Sequence, residues 1–143
     1  MRRIAVTTEI AAPVETVWAQ LTGTSEFPEW NPFITSLEGT LEKGERLNVR
    51  IAPPEGKAMT FRPTVQVVEK GRKLEWLGRL LMPGIFDGRH TFTLEPTATG
   101  TRLTQEETFT GILVPLTGST LAKTKAGFQQ MNEALKARAD HDA

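Results

Sequence analysis

GRHTFTLEPTATGTRLTQEETFTG, residues 88–111, alternates apolar and polar side chains on both sides of a polar turn at residues 96–100. This is the pattern of a β-hairpin. Pairing the two arms so that their apolar residues share a face sets Leu94 against Leu103, Phe92 against Gln105 and His90 against Glu107. Because every second residue of a strand points the same way, His90, Phe92 and Leu94 share a face with Leu103, Gln105, Glu107 and Phe109. An imidazole, an amide and a carboxylate therefore fall in the oily register. A packed core excludes such groups or satisfies them internally, whereas a wet or ligand-filled pocket uses them.

Upstream of the hairpin the same period continues. Residues 33–111 read as about six strands, with turn signals at residues 42–44, 53–56, 70–72, 82–84 and 96–100, which predicts an antiparallel meander. Its inward register takes Leu47, Val49 and Ile51, then Phe61, Val65 and Val67, then Leu74, Trp76, Gly78 and Leu80. Pro63 suits an edge or a bulge. A three-residue turn at residues 83–85 would set Gly78 beside His90 and Trp76 beside Phe92. Before the meander, Ile4, Val6, Thr8 and Ile10 alternate as a first strand. The stretch AAPVETVWAQLT, residues 11–22, has Pro13 and Glu15 where a first helical turn tolerates or favours them, with Val14, Val17, Trp18 and Leu21 at helical spacing. GTSEFPEWNPFI, residues 23–34, carries two prolines and holds at most a helical turn or two. After the hairpin, Leu121, Thr124, Phe128, Met131 and Leu135 form the apolar stripe of one long helix over about residues 117–139, and residues 136–143 read as a partly disordered tail.

The bulk numbers narrow what such a chain does. At 143 residues it is the size of one ordinary domain, read here as a single ligand-binding domain over residues 1–143. Lys plus Arg, 17, balances Asp plus Glu, 17, so no global field draws in nucleic acid, and none is expected as a partner. The chain has no cysteine, which removes disulfides and thiolate chemistry and fits a cytoplasmic location. No apolar run approaches the roughly 20 residues of a spanning helix, and the start, MRRIAVTTEI, alternates instead of forming a signal-peptide core, so no integral membrane association is expected. With two histidines, one of them His141 near the end, a nitrogen- or sulfur-rich metal site cannot be assembled. Neither metal nor cofactor is expected. There is no GxxxxGK[ST], no GxGxxG after a strand and no GxSxG, since Ser119 in TGSTL lacks the second glycine.

The element order, together with AAPVETVWAQLT, FPEWNPFI, VVEKGRKLEW, HTFTLEP, GTRLTQEE and the closing helix, resembles the START/SRPBCC superfamily, in particular its polyketide cyclase/dehydrase-like branch. The resemblance covers nearly the whole chain. It implies an α+β helix-grip fold: a seven-stranded antiparallel sheet wrapped around the long C-terminal helix, two short helices between strands one and two, and an internal hydrophobic cavity. In various members that cavity holds lipids, sterols, hormones, secondary metabolites or polyketides; some members catalyse and others only bind. The residues read alone agree, because one helix covers a large sheet incompletely. Its less bulky turns, at Ala122, Thr124, Ala126 and Gly127, are where a gap would open.

Two readings of the polar register stay open. In one, His90 and Glu107 form a structural cross-strand pair and Gly78 marks a bulge. In the other they face a ligand, with Trp76, Phe92 and Phe109 as apolar walls, Gln105 as hydrogen-bonding partner and Gly78 leaving room. A carboxylate beside an imidazole also suits proton transfer, the role His90 and Glu107 would have in an enzyme. Trp30 and Phe33 either cap the pocket or anchor the proline-rich connector. Phe61 belongs to the wall. Phe128 and Met131 either line the pocket or fill the core. Arg50, Arg62 and Arg79 fall outward. The leading expectation is binding of a small hydrophobic molecule by a monomer or homodimer. A polyketide cyclase or dehydratase using His90 and Glu107 is the alternative, and a protein-interaction module of the chaperone-activating type is a third.

Overall fold

A computed structural model describes residues 1–80, 84, 86–111 and 118–142. The chain runs β1 (Arg2–Ile10), α1 (Val14–Thr22), a single 3-10 turn (Thr24–Glu26), α2 (Phe27–Trp30), β2 (Ile34–Glu38), β3 (Asn48–Ile51), β4 (Met59–Phe61), β5 (Thr64–Glu69), β6 (Lys73–Leu80), β7 (Phe86–Thr97), β8 (Gly100–Thr110) and α3 (Gly118–Asp142). It is an α+β fold of two antiparallel sheets and a long C-terminal helix. The expected single sheet of seven strands is corrected to eight strands in two sheets, one of five in the order β1-β8-β7-β6-β5 and one of three in the order β2-β3-β4. Pro63 is the cause. It lacks the N–H a ladder requires and parts β4 from β5, which would otherwise be one strand. The chain bridges the seam with single bonds: the Leu47 amide donates to the Pro63 carbonyl, and Glu45 and Gly44 bond Val65 on either side.

The hairpin of β7 and β8 has the register that alternation predicts, Leu94 opposite Leu103, Phe92 opposite Gln105 and His90 opposite Glu107. The next pairing differs. Gly78 lies opposite Gly88, and Trp76, not Gly78, lies opposite His90. The expected three-residue turn at residues 83–85 does not hold, because the ladder already ends at Leu80 opposite Phe86, with five residues between them. Residues 81–83 and 85, and the side chains of Leu80 and Phe86, lie outside the described set. A second difference comes from a bulge between Val65 and Val67, which sets Val67 opposite Glu75 and so on the outer face. Glu75 is there with Thr91, whose hydroxyl donates to it, and Arg89, at 2.8 Å.

Two local devices shape the connector over the sheet. Helix α1 buries Val17, Trp18 and Leu21, and the Pro13 carbonyl accepts from the amides of Thr16 and Val17 to start it. After α2, the buried Asn31 side chain accepts from the amides of Phe33 and Ile34 at 3.0 and 2.8 Å, turning the chain into β2. Helix α3 lays Leu121, Phe128, Met131, Leu135 and Ala139 against the sheet and α1. Its stripe runs further than expected. The anticipated disordered tail from residue 136 is helical through Asp142, because Ala139 is fully buried and Arg138 donates to Gln20 and pairs with Glu26 at 2.9 Å. The side chain of His141 and residue 143 lie outside the described set. Arg50, Arg62 and Arg79 are exposed, as alternation requires. Among the described residues no helix is long and apolar enough to cross a membrane.

Candidate functional site: a hollow with an imidazole and a carboxylate in its wall

Among the described residues the buried apolar side chains fall into two clusters that share Ile4 at their margin. Most belong to a large cluster that includes Phe33, Val49, Trp76 and Phe128, while Phe109 and Leu121 form a separate pair with Ile4 beside them. Between the two lies a cavity of about 440 Å³. Its walls are Val49 and Ile51 of β3, Met59 and Phe61 of β4, Trp76 and Gly78 of β6, Gly88 and His90 of β7, and Glu107 and Phe109 of β8. Phe33, Ile34, Pro53 and Pro63 close one side, and Thr120, Leu121 and Thr124 of α3 the other. A volume of this order is typical of sites for small organic ligands. Among the described lining residues His90 and Glu107 are the ionisable ones.

His90 is 5% exposed and held tightly. Its ring lies between Trp76, Phe92 and Phe128 at centroid distances of 5.2, 4.8 and 4.9 Å. Its Nε2 is 2.9 Å from Gln105 Oε1, and its Nδ1 is 3.5 Å from Glu107 Oε1. The Glu107 carboxylate needs room to lie there. A Cβ on Gly88 would overlap Glu107 Oε2, so a glycine at 88 lets the carboxylate rest over the β7 backbone. Behind the imidazole, Gln105 Nε2 donates to Asn132 Oδ1 at 2.8 Å, and Asn132 Nδ2 donates to the Val6 carbonyl and to Thr8 Oγ1, both at 3.2 Å. Gln105 and Asn132 are both fully buried. The polar register is thus satisfied internally on one side of His90 and opens to the hollow on the other.

The sequence-predicted residues divide accordingly. Phe33, Phe61, Trp76, Gly78, His90, Glu107 and Phe109 all reach the cavity. Phe92, Phe128 and Met131 are fully buried in the solid core behind it, and Gln105 spends both its polar atoms on protein partners, so none of the four meets the hollow. Trp30 packs edge-on against Phe27 at 5.3 Å and anchors the connector. On α3 the gap is narrower than its small residues suggest. Thr124 faces it, but a Cβ on Gly127 would overlap the Phe33 ring, which already occupies that notch. The residue that alternation and stripe both missed is Asn132. Its signal was present: it stands four positions after Phe128 and three before Leu135, a polar side chain inside an apolar stripe.

Two antiparallel sheets and a long terminal helix with a lined hollow between them make an α+β cavity fold. The sequence matches, over residues 1–140, the family described as polyketide cyclase / dehydrase and lipid transport, and the chain belongs to that SRPBCC-type family. Among solved structures it is similar to protein MLL2253 from Mesorhizobium loti, at 28% identity over 99% of each chain with a TM-score of 0.79. It is similar in fold to TTHA0849 from Thermus thermophilus, at 16% identity over 99% of each chain and a TM-score of 0.77. The di-domain ARO/CYC StfQ from the steffimycin biosynthetic pathway shares the fold at 17% identity, 96% of this chain matching 51% of that one, with a TM-score of 0.67. No curated protein matches the sequence significantly.

Proposed function

We propose that this protein binds a small hydrophobic molecule in the hollow between its sheets and α3, with the molecule's polar end against His90 and Glu107. The observation that carries this reading is an apolar cavity of about 440 Å³ with an imidazole and a carboxylate set side by side in its wall. A hollow this size costs packing energy that a merely structural interior has no reason to lose. The membership in a family that includes lipid transport supports the same reading. Titration with the neutral dye phenylnaphthylamine tests it: saturable binding of one dye per chain, with enhanced emission, is expected. Native mass spectrometry of protein purified from its own host should show a co-purifying small molecule. Failure of both would overturn the reading.

The geometry of His90 favours a second reading on the same site. Its Nδ1 faces Glu107 at the cavity wall, where a substrate carbonyl compound would sit, and an imidazole so placed takes a proton from a carbon beside a carbonyl and returns it to oxygen. The cyclase and dehydrase activities in the family's description, and the likeness in fold to the ARO/CYC protein StfQ, support assaying for this chemistry. His90→Ala decides it: an activity that persists undiminished in this variant assigns no proton transfer to His90.

A further inference from the structure

The hydrogen bonds behind His90 have a direction, and it is set at one end by a group that has no choice. The Val6 carbonyl only accepts, so the Asn132 atom 3.2 Å from it is the amide nitrogen, and Asn132 Oδ1 faces Gln105. Gln105 must then present its nitrogen to Asn132, at 2.8 Å, and its oxygen to His90. The imidazole atom that meets that oxygen, Nε2, carries the proton. From this we propose that Asn132 and Gln105 are positioning residues that hold the neutral form of His90 as its Nε2–H tautomer, in which Nδ1 and the Glu107 carboxylate both face the cavity as acceptors and select an uncharged ligand bearing a hydroxyl or similar donor. The proposal rests on the cavity-binding reading above and names its ligand class.

Three observations on the cavity side lead the same way. With Nε2–H given to Gln105, the ring in its neutral form presents the lone pair of Nδ1, 3.5 Å from Glu107 Oε1. In that form two acceptors face each other at an apolar wall, and a ligand hydroxyl satisfies one of them by donating to it. The Thr124 hydroxyl is already spent, donating to the Thr120 carbonyl at 2.9 Å. No lysine or arginine is among the described lining residues, so a carboxylate or phosphate head would meet Glu107 with nothing to neutralise it. The exposed Thr120 carries the remaining hydroxyl of the described wall.

The experiment uses the whole chain and three probes of one shape: naphthylmethanol, its methyl ether, and naphthoate, titrated calorimetrically. Naphthylmethanol should bind at least about tenfold more tightly than either, the ratio expected for a hydrogen bond donated to a charged or strongly polar acceptor. Naphthoate binding as well as the alcohol, or the ether matching it, overturns the proposal. If no naphthyl probe binds while phenylnaphthylamine does, the hydroxyl selectivity is wrong and the cavity reading stands; if the dye fails too, both fall. Independently of any ligand, nitrogen-15 spectra of the His90 ring in its neutral form should show the proton on Nε2 and none on Nδ1, and the reverse assignment refutes the lock. In Asn132→Leu, where Gln105 is free to turn over, the ring spectrum should become that of mixed tautomers and the preference for alcohol over ether should fall toward unity. Should that variant not fold, the wild-type spectrum and the three titrations decide alone.

Discussion

Replacing Thr124 by leucine tests whether the hollow is empty, because the sign of the stability change depends on it. Thr124 is buried on α3 and faces the cavity. Leucine adds one carbon and turns a hydroxyl into a methyl-like group. In an empty space each buried methylene contributes about 0.8 kcal/mol, and the better helix former adds a few tenths of a kcal/mol. Against this stands the lost bond from Thr124 to the Thr120 carbonyl, roughly 0.5–1 kcal/mol, to a carbonyl that helix geometry already pairs with a backbone amide. The net expectation is a gain of about 1 kcal/mol, or a melting temperature raised by roughly 3–5 °C for a chain of this length. In a filled interior the same change overpacks the core and costs about 1–3 kcal/mol.

Ligand binding should move the other way. A leucine that fits the empty cavity competes with whatever occupies it, so the overpacking of about 1–3 kcal/mol is transferred to the complex, and phenylnaphthylamine affinity should fall about tenfold. Thermal unfolding followed by tryptophan fluorescence, with dye titration on the same samples, reads both quantities. The reasoning is refuted by a variant that is less stable than the wild type and binds the dye unchanged, since the space beside Thr124 would then be neither empty nor the site.

Three further outcomes follow from close contacts. Gly127→Ala gains about 1 kcal/mol of helix propensity but drives a methyl into the buried Phe33 ring, so urea unfolding should show a net loss of about 1 kcal/mol, and dye affinity should change with it because Phe33 lines the cavity. Asn31→Ala strips the acceptor from the buried amides of Phe33 and Ile34 and should cost about 2–3 kcal/mol, with faster hydrogen exchange at those two amides. Gly88→Ala displaces the Glu107 carboxylate that rests over it; calorimetry should find the preference for naphthylmethanol over its ether reduced toward unity.

What the sequence disclosed and what it withheld have one physical source. Side-chain alternation has a period of two, so it fixes which face a residue takes and is blind to any slip by an even number of positions. The β7–β8 hairpin has its register set by a short turn, and there alternation recovered every pair from Leu94 and Leu103 to His90 and Glu107. Between β6 and β7 the longer connection left the register free by two, so Trp76 took the place expected of Gly78, yet both kept their face and both still reach the hollow. Val67 changed face because the bulge beside it adds an odd residue, which no hydrophobic pattern announces. Face also says nothing about depth along the face. Phe92 and Phe109 occupy the same register of one hairpin, but Phe92 stacks into the solid core with His90 and Trp76, while Phe109 belongs to a separate cluster across the gap. Depth depends on what α3 brings to each position: Phe128 and Met131 fill the interior, Asn132 holds the amide chain at Gln105, and Thr124 and Leu121 leave the hollow open opposite His90 and Glu107. The depth of the site is therefore set by the helix, which is why a reading centred on the strands found the imidazole and the carboxylate and missed the Asn132 amide behind them.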